Sequence, residues 1–169
     1  MRAGYMPAVG VAEFRDDMPE PQIEKADDVK IKIRNCGICG SEVHAIHRLP
    51  PFRIPPIVSG HEVAGDVVAV GEGVTKFKVG DRVTVEPHYG CGHCWYCDHG
   101  LYNVCPDKKV LGAGPWSGGL GEYIVTPEQT VVKLPDSLTY EEGALIEPVA
   151  NGMYAVRNSK IDAETNIVV

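Results

Sequence analysis

The stretch CGHCWYCDHGLYNVC, residues 91–105, holds four of the chain's six cysteines: Cys91, Cys94, Cys97 and Cys105. The spacing is C-x2-C-x2-C-x7-C. Four thiols this near in sequence can reach one common centre only if the loop that carries them folds back on itself. Four thiolates suit a tetrahedral ion that favours soft ligands, and zinc is the first candidate. With every coordination position filled by protein, no place is left for a substrate, so such an ion is structural.

Two rivals stay open at this level. The run ending in Cys105–Pro106 is similar to a ferredoxin iron–sulfur motif, although there the last gap is three residues and here it is seven. Disulfides are the other rival. His93 and His99 lie inside the loop and read as exposed residues, since four cysteines already complete a ligand set. Trp95 and Tyr96 read as packing within the lobe.

Length and charge narrow the setting. The chain has 169 residues, enough for one globular domain, or one domain and the start of another. Its net charge of -7 argues against nucleic acid or an anionic membrane as partner. No apolar run approaches the length that spans a bilayer. In MRAGYMPAVGVAEFRDD, Pro7, Gly10 and Glu13 interrupt any apolar core of a signal peptide. The expectation is therefore a cytoplasmic protein with reduced thiols, in which clustered cysteines bind metal.

Short strand-like runs fill most of the chain. DVKIKIR (28–34) alternates Val29, Ile31 and Ile33 with polar residues, and DRVTVEP (81–87) alternates through Val83 and Val85. VAGDVVAVGEG (63–73) reads as a strand closing in a glycine-rich turn. EYIVTPEQTVVKLP (122–135) reads as two strands around a turn at Pro127. Many short strands with Gly/Pro turns predict a mainly β fold, a small barrel or sandwich. After Pro135 the pattern changes. Thr139 and Glu142 form a capping box that opens a helix, which Pro148 is expected to break or kink, and Val149, Met153 and Val156 follow at helical spacing. ETNIVV (164–169) reads as the beginning of a strand.

A second, mixed set of ligating residues is spread along the chain. NCGICGSEVH (35–44) follows the first alternating strand, and SGHEVAG (59–65) opens the next. Cys39, His61 and Glu62 offer one sulfur, one nitrogen and one oxygen near strand ends. Mixed ligands with an open position are what a catalytic zinc requires. In LIEPVANG (145–152), Glu147 precedes a proline and is expected outside regular helix, where its carboxylate could add an oxygen. Cys36 and Cys39 form a C-x2-C, but a redox pair of that kind needs a βαβ setting, and strands surround this one. Cys36 reads as packing.

These residues carry a family resemblance. GICGSEVH (37–44), GHEVAGDVVAVGEGVTKFKVGDRV (60–83), CGHCWYCDHGLYNVC (91–105), GGLGEYIV (118–125) and EPVANGMYAV (147–156) together resemble the N-terminal domain of the zinc-dependent medium-chain alcohol dehydrogenases. The variant with glutamates is similar to the sorbitol, threonine and butanediol dehydrogenase branch. The resemblance implies a GroES-like distorted β-barrel with a few helices over residues 1–157. It further implies a structural-zinc lobe over 88–108 and the truncated start of a Rossmann dinucleotide-binding domain over 158–169. It implies a catalytic zinc on Cys39, His61, Glu62 and, directly or through water, Glu147, and a structural zinc on Cys91, Cys94, Cys97 and Cys105. Ser41 matches the hydroxyl that touches the substrate oxygen, and His44 matches the relay histidine, with His47 as a less well-placed alternative. The implied reaction is oxidation of an alcohol or polyol hydroxyl with hydride transfer to NAD or NADP, in a full-length homo-oligomer, dimer or tetramer.

The nicotinamide site is not legible. The nearest match to G-x-G-x-x-G is GAGPWSG (112–118), which has Ser117 where the third glycine belongs and more glycines where a helix should follow. It reads as a loop. The family's dinucleotide strand begins about where NIVV (166–169) stands, so the chain is expected to fold and bind zinc without turning over alcohol. The competing class is a non-enzymatic zinc-binding interaction module.

Overall fold

The computed structural model describes residues 1–47, 53–159, 161–162 and 164–166. The alternation of Val29, Ile31 and Ile33 forms the long strand β3 (Asp28–Gly37), which runs beyond the expected residue 34. It pairs antiparallel with β5 (Glu62–Val70) on one side and with β9 (Tyr123–Pro127) on the other. β6 (Arg82–Val85) lies against β5, and β10 (Val131–Lys133) against β6. The sheet order is thus β10-β6-β5-β3-β9.

This order makes the sheet curl. β9 and β10 are the two strands expected around Pro127, and only the 3-10 turn Glu128–Thr130 separates them. They nevertheless occupy opposite edges of the sheet. A turn that short can join the edges only if the sheet bends round toward closure. The register shifts in β3, at Lys30/Ile31 and Ile33/Asn35, add the local bends. Val29, Ile31, Val63, Val67, Val83, Val85 and Ile124 fill the inside. A smaller sheet, β2-β1-β4, packs β1 (Ala3–Ala8) between β2 (Val11–Arg15) and β4 (Ile57–Val58). The fold is mainly β, as the sequence predicts.

Among the described residues four helices decorate this sheet. α1 (Gly40–His47) follows β3 directly. α2 (Trp95–Asp98) lies in the cysteine-rich lobe, whose base is the short ladder of β7 (His88–Tyr89) with β8 (Lys109–Val110). α3 (Tyr140–Ala144) opens with the expected reciprocal capping box of Thr139 and Glu142. α4 (Ile146–Asn158) carries Val149, Met153 and Val156.

One helical expectation is corrected. The break falls at Leu145, between α3 and α4, and not at Pro148. Pro148 is the third residue of α4, where a missing N–H forfeits no intrahelical bond. Glu147 therefore lies in the first helical turn, not outside helix as expected. Of the expected terminal strand, residues 167–169 lie outside the described residues.

Candidate metal centres

The lobe brings Cys91, Cys94, Cys97 and Cys105 together, with all four sulfurs within 4.8 Å of one another. The Cys91–Cys97, Cys94–Cys97 and Cys94–Cys105 sulfur distances are 4.0, 3.6 and 3.7 Å. A tetrahedral zinc with bonds of about 2.3 Å needs sulfur–sulfur edges of about 3.8 Å, so the cage has the right size for one ion. A polynuclear iron–sulfur cluster spreads its cysteines over separate irons and needs a wider cage. A disulfide needs sulfurs at about 2 Å, and all six cysteines are free thiols. The backbone N–H of Cys91 donates to Cys105 Sγ at 3.4 Å and that of Gly92 to Cys97 Sγ at 3.4 Å. The bond from Cys91 outweighs burial and lowers the Cys105 thiol to about 7, which favours the thiolate a metal requires.

His93 and His99 each turn Nδ1 to a backbone carbonyl, of Cys91 at 2.9 Å and of Trp95 at 2.7 Å. His99 also stacks on Trp95 at 4.1 Å. Both are exposed, as the sequence predicts.

The second constellation is assembled by strand register. In the β3–β5 ladder Gly37 faces Glu62. The end of β3 therefore delivers Cys39 beside the start of β5, where His61 immediately precedes the strand and Glu62 opens it. The loop before β5 is fixed from behind by the GGL stretch. Gly118 N donates to Val58 O, Gly119 N to Gly60 O and Leu120 N to Ser59 O, at 2.8–2.9 Å. A Cβ on Gly118 would overlap the Ser59 and Gly60 carbonyls, so that close approach requires glycine.

Two groups of ligand atoms result, each within 4.8 Å. One is His61, Glu62 and Glu147, and the other is Cys39, Glu42 and His61. His61 is common to both. His61 and Glu62 are buried, and Cys39 and Glu147 are half-buried. Glu147 also accepts from Asn151 Nδ2 one turn along α4, at 2.7 Å. The expected ligands Cys39, His61, Glu62 and Glu147 thus do not form one four-residue group: His61 joins Cys39 in one and Glu62 with Glu147 in the other, and each group offers the mixed donor types that suit zinc. His61 and Glu147 line a cavity of 290 Å³ together with Ser41, Arg53, His88 and Lys108. The Ser41 hydroxyl is buried and has no hydrogen-bond partner among the described residues. His44 is exposed, one turn further along α1, and His47 is exposed at its end. Cys36 packs against the core, where burial pushes its thiol up to about 12. That bears out its reading as packing.

Glu42, Ser59 and Arg53 stand against these candidate ligands, and the sequence reading missed them. Glu42 is 3% exposed. Its Oε2 accepts from the Cys39 backbone N–H at 3.0 Å, and its Oε1 lies 3.1 Å from His61 Nδ1. A metal on the other ring nitrogen leaves Nδ1 protonated, and Nδ1–H then donates to Glu42. Ser59 Oγ donates to the same Oε1 at 2.9 Å, and Arg53 Nη1 stands 2.7 Å from it. Burial works against the Glu42 charge, but the His61 hydrogen bond and the Arg53 guanidinium prevail and hold its carboxyl down to about 2. The available signal was a lone arginine in the apolar, proline-rich run around PFRIPPIV.

Residues 25–136 match the family model described as the alcohol dehydrogenase GroES-like domain. The chain belongs to that family. The domain is 42% identical over 157 residues to sorbitol dehydrogenase of Bacillus subtilis, an alignment covering 91% of this chain and 44% of that enzyme. It is 44% identical over 161 residues to (R,R)-butanediol dehydrogenase of the same organism, covering 88% and 44%. Among solved structures, 2R,3R-butanediol dehydrogenase from Bacillus subtilis superposes with a TM-score of 0.85 at 40% identity, covering 96% of this chain and 48% of that one. An Escherichia coli oxidoreductase/dehydrogenase of unknown specificity gives 0.87, covering 98% and 48%. The GroES-like chain thus spans under half the length of these relatives. Its mainly β curled sheet is the GroES-like architecture that the resemblance implied. No helix among the described residues is long and apolar enough to cross a membrane.

Proposed function

We propose that this chain is the catalytic domain of a zinc-dependent dehydrogenase that oxidises a secondary alcohol or polyol hydroxyl to a ketone, in a longer protein whose dinucleotide-binding domain holds NAD or NADP. The observation that carries this reading is the buried Ser41 hydroxyl, without a hydrogen-bond partner among the described residues, in the same cavity as His61 and Glu147. A buried hydroxyl without a partner forfeits hydrogen-bond energy, and a substrate hydroxyl in that cavity would restore it.

Cys39, His61, Glu62 and Glu147 would hold the catalytic zinc, and Cys91, Cys94, Cys97 and Cys105 the structural one. A zinc bound there would supply Lewis acidity toward the substrate oxygen, and a nicotinamide held by the dinucleotide-binding domain would supply the hydride acceptor. Ser41 orients the substrate hydroxyl and takes its proton. His44, on the exposed side of the same helix, passes the proton to solvent, with His47 as the alternative. The domain boundary falls near 157–158, at the end of α4. The apolar residues Leu145, Val149, Met153 and Val156 remain exposed there, as expected of a helix that meets further protein. Six free thiols accord with a cytoplasmic setting. The full-length protein is assigned as a homo-oligomer, dimer or tetramer, by family resemblance.

Metal stoichiometry tests the reading against a non-enzymatic zinc module. Two cobalt ions per chain, one with the charge-transfer spectrum of four thiolates and one with an open mixed-ligand spectrum, support the dehydrogenase. A single thiolate-bound ion supports the module. In the longer protein, Ser41→Ala is expected to lower kcat for polyol oxidation about 10²- to 10⁴-fold. Unchanged turnover would remove Ser41 from the mechanism.

A further inference from the structure

We propose that Arg53 is a positioning residue for the candidate catalytic metal: its guanidinium holds Glu42, and Glu42 in turn orients both Cys39 and His61. This inference rests on the assignment of Cys39 and His61 as ligands.

Arg53 is 2% exposed and Ser59 is fully buried. Nη1 donates to Ser59 Oγ at 2.5 Å and to the Gly112 carbonyl at 3.1 Å, and lies 2.7 Å from Glu42 Oε1. Nη2 stands 2.8 Å from His61 Nδ1. One guanidinium therefore ties together the loop before β5, the loop after β8 and the first turn of α1. These segments are distant in sequence, and the metal geometry depends on their alignment.

Electrostatics gives the guanidinium its second task. A lone carboxylate this deep would be costly to keep charged. Arg53 supplies a compensating charge at 2.7 Å from Glu42 Oε1, and the same carboxylate accepts from Cys39 N–H and lies 3.1 Å from His61 Nδ1. The planar fork reaches Ser59 and Glu42 through Nη1 and His61 through Nη2, and Ser59 relays a further hydrogen bond into the same carboxylate oxygen. A lysine carries the charge but no fork. Arg53 touches His61 directly but does not need to touch substrate to act. Its effect passes through the placement of two ligands.

The test titrates cobalt into the 169-residue chain and reads both sites by absorption. The four-thiolate band serves as an internal control for folding. In Arg53→Lys the mixed-ligand site is expected to bind cobalt about 10- to 100-fold more weakly, with a shifted d–d spectrum and an unchanged thiolate band. Wild-type affinity and spectrum in that variant would overturn the proposal alone. A wild-type chain that binds only the thiolate-held ion would overturn the ligand assignment, and the proposal with it. A double-mutant cycle adds a second criterion. If Arg53 acts through Glu42, the Glu42→Gln, Arg53→Met pair binds cobalt no more weakly than Glu42→Gln alone. Additive losses would show that Arg53 acts on His61 by itself, and would overturn the route through Glu42.

Discussion

Gly37 faces Glu62 across the β3–β5 ladder, and a Cβ on Gly37 would overlap Glu62 Oε2. The backbone there does not need glycine for its torsion. The carboxylate needs the space. Gly37→Ala should therefore leave the strand intact and displace Glu62, weakening cobalt at the mixed-ligand site by about tenfold or more while the four-thiolate site stays filled. Equal affinity at both sites in the variant would show that Glu62 is not a ligand. At this scale the sequence displayed the ligating residue types but not their partners. Cys39, His61 and Glu62 could be named because sulfur, nitrogen and oxygen donors stood beside strand ends. Glu42 carried no such signal, and its burial beside Arg53 rests on a contact between residues 11 positions apart in sequence with no periodic pattern between them.

The helices show which local signals survive folding. The Thr139–Glu142 box is a backbone capping device that needs only four consecutive residues, and it forms as expected. The break at Leu145 is set from outside the segment. Gly143 packs so closely on Ala64 and Leu134 that a Cβ would crowd both, and the chain turns after that contact. α3 is latched to β5 by Tyr140, whose hydroxyl donates to Asp66, while Arg34 Nε donates to the other Asp66 oxygen at 2.6 Å. Arg82 lies over the Tyr140 ring at 4.5 Å. Burial opposes the Asp66 charge, but the Tyr140 and Arg34 hydrogen bonds hold its carboxyl below the usual range. A depressed carboxylate pKa stabilises the fold above the unfolded value of about 3.9 and ceases to do so as pH falls through that value and below. Asp66→Asn should therefore lower stability at neutral pH and flatten the acid side of the stability curve below about pH 4. Denaturant melts across pH check this, and parallel wild-type and variant curves would count against the latch.

Across the whole molecule, the two candidate centres differ in access. The lobe supplies four sulfurs to one centre, enough to fill a tetrahedral ion, whereas His61 and Glu147 open onto a cavity. A chelator such as dipicolinate should remove the cavity ion first, with little change in Tm. Removal of the lobe ion should follow under harsher conditions and lower Tm by about 4–8 °C, the effect of roughly 2 kcal/mol on a domain of this size. Metal analysis during the titration would expose the reverse order. The sequence by itself determined the strand-rich class, the capping box, the cysteine cage and the residue types of the second centre, because each is written in short-range spacing or alternation. Tertiary structure alone decided the curl of the sheet, the meeting of Cys39 with His61, and the buried Arg53–Glu42 pair behind them. Those depend on which strands become neighbours and in what register, and no local pattern encodes that choice.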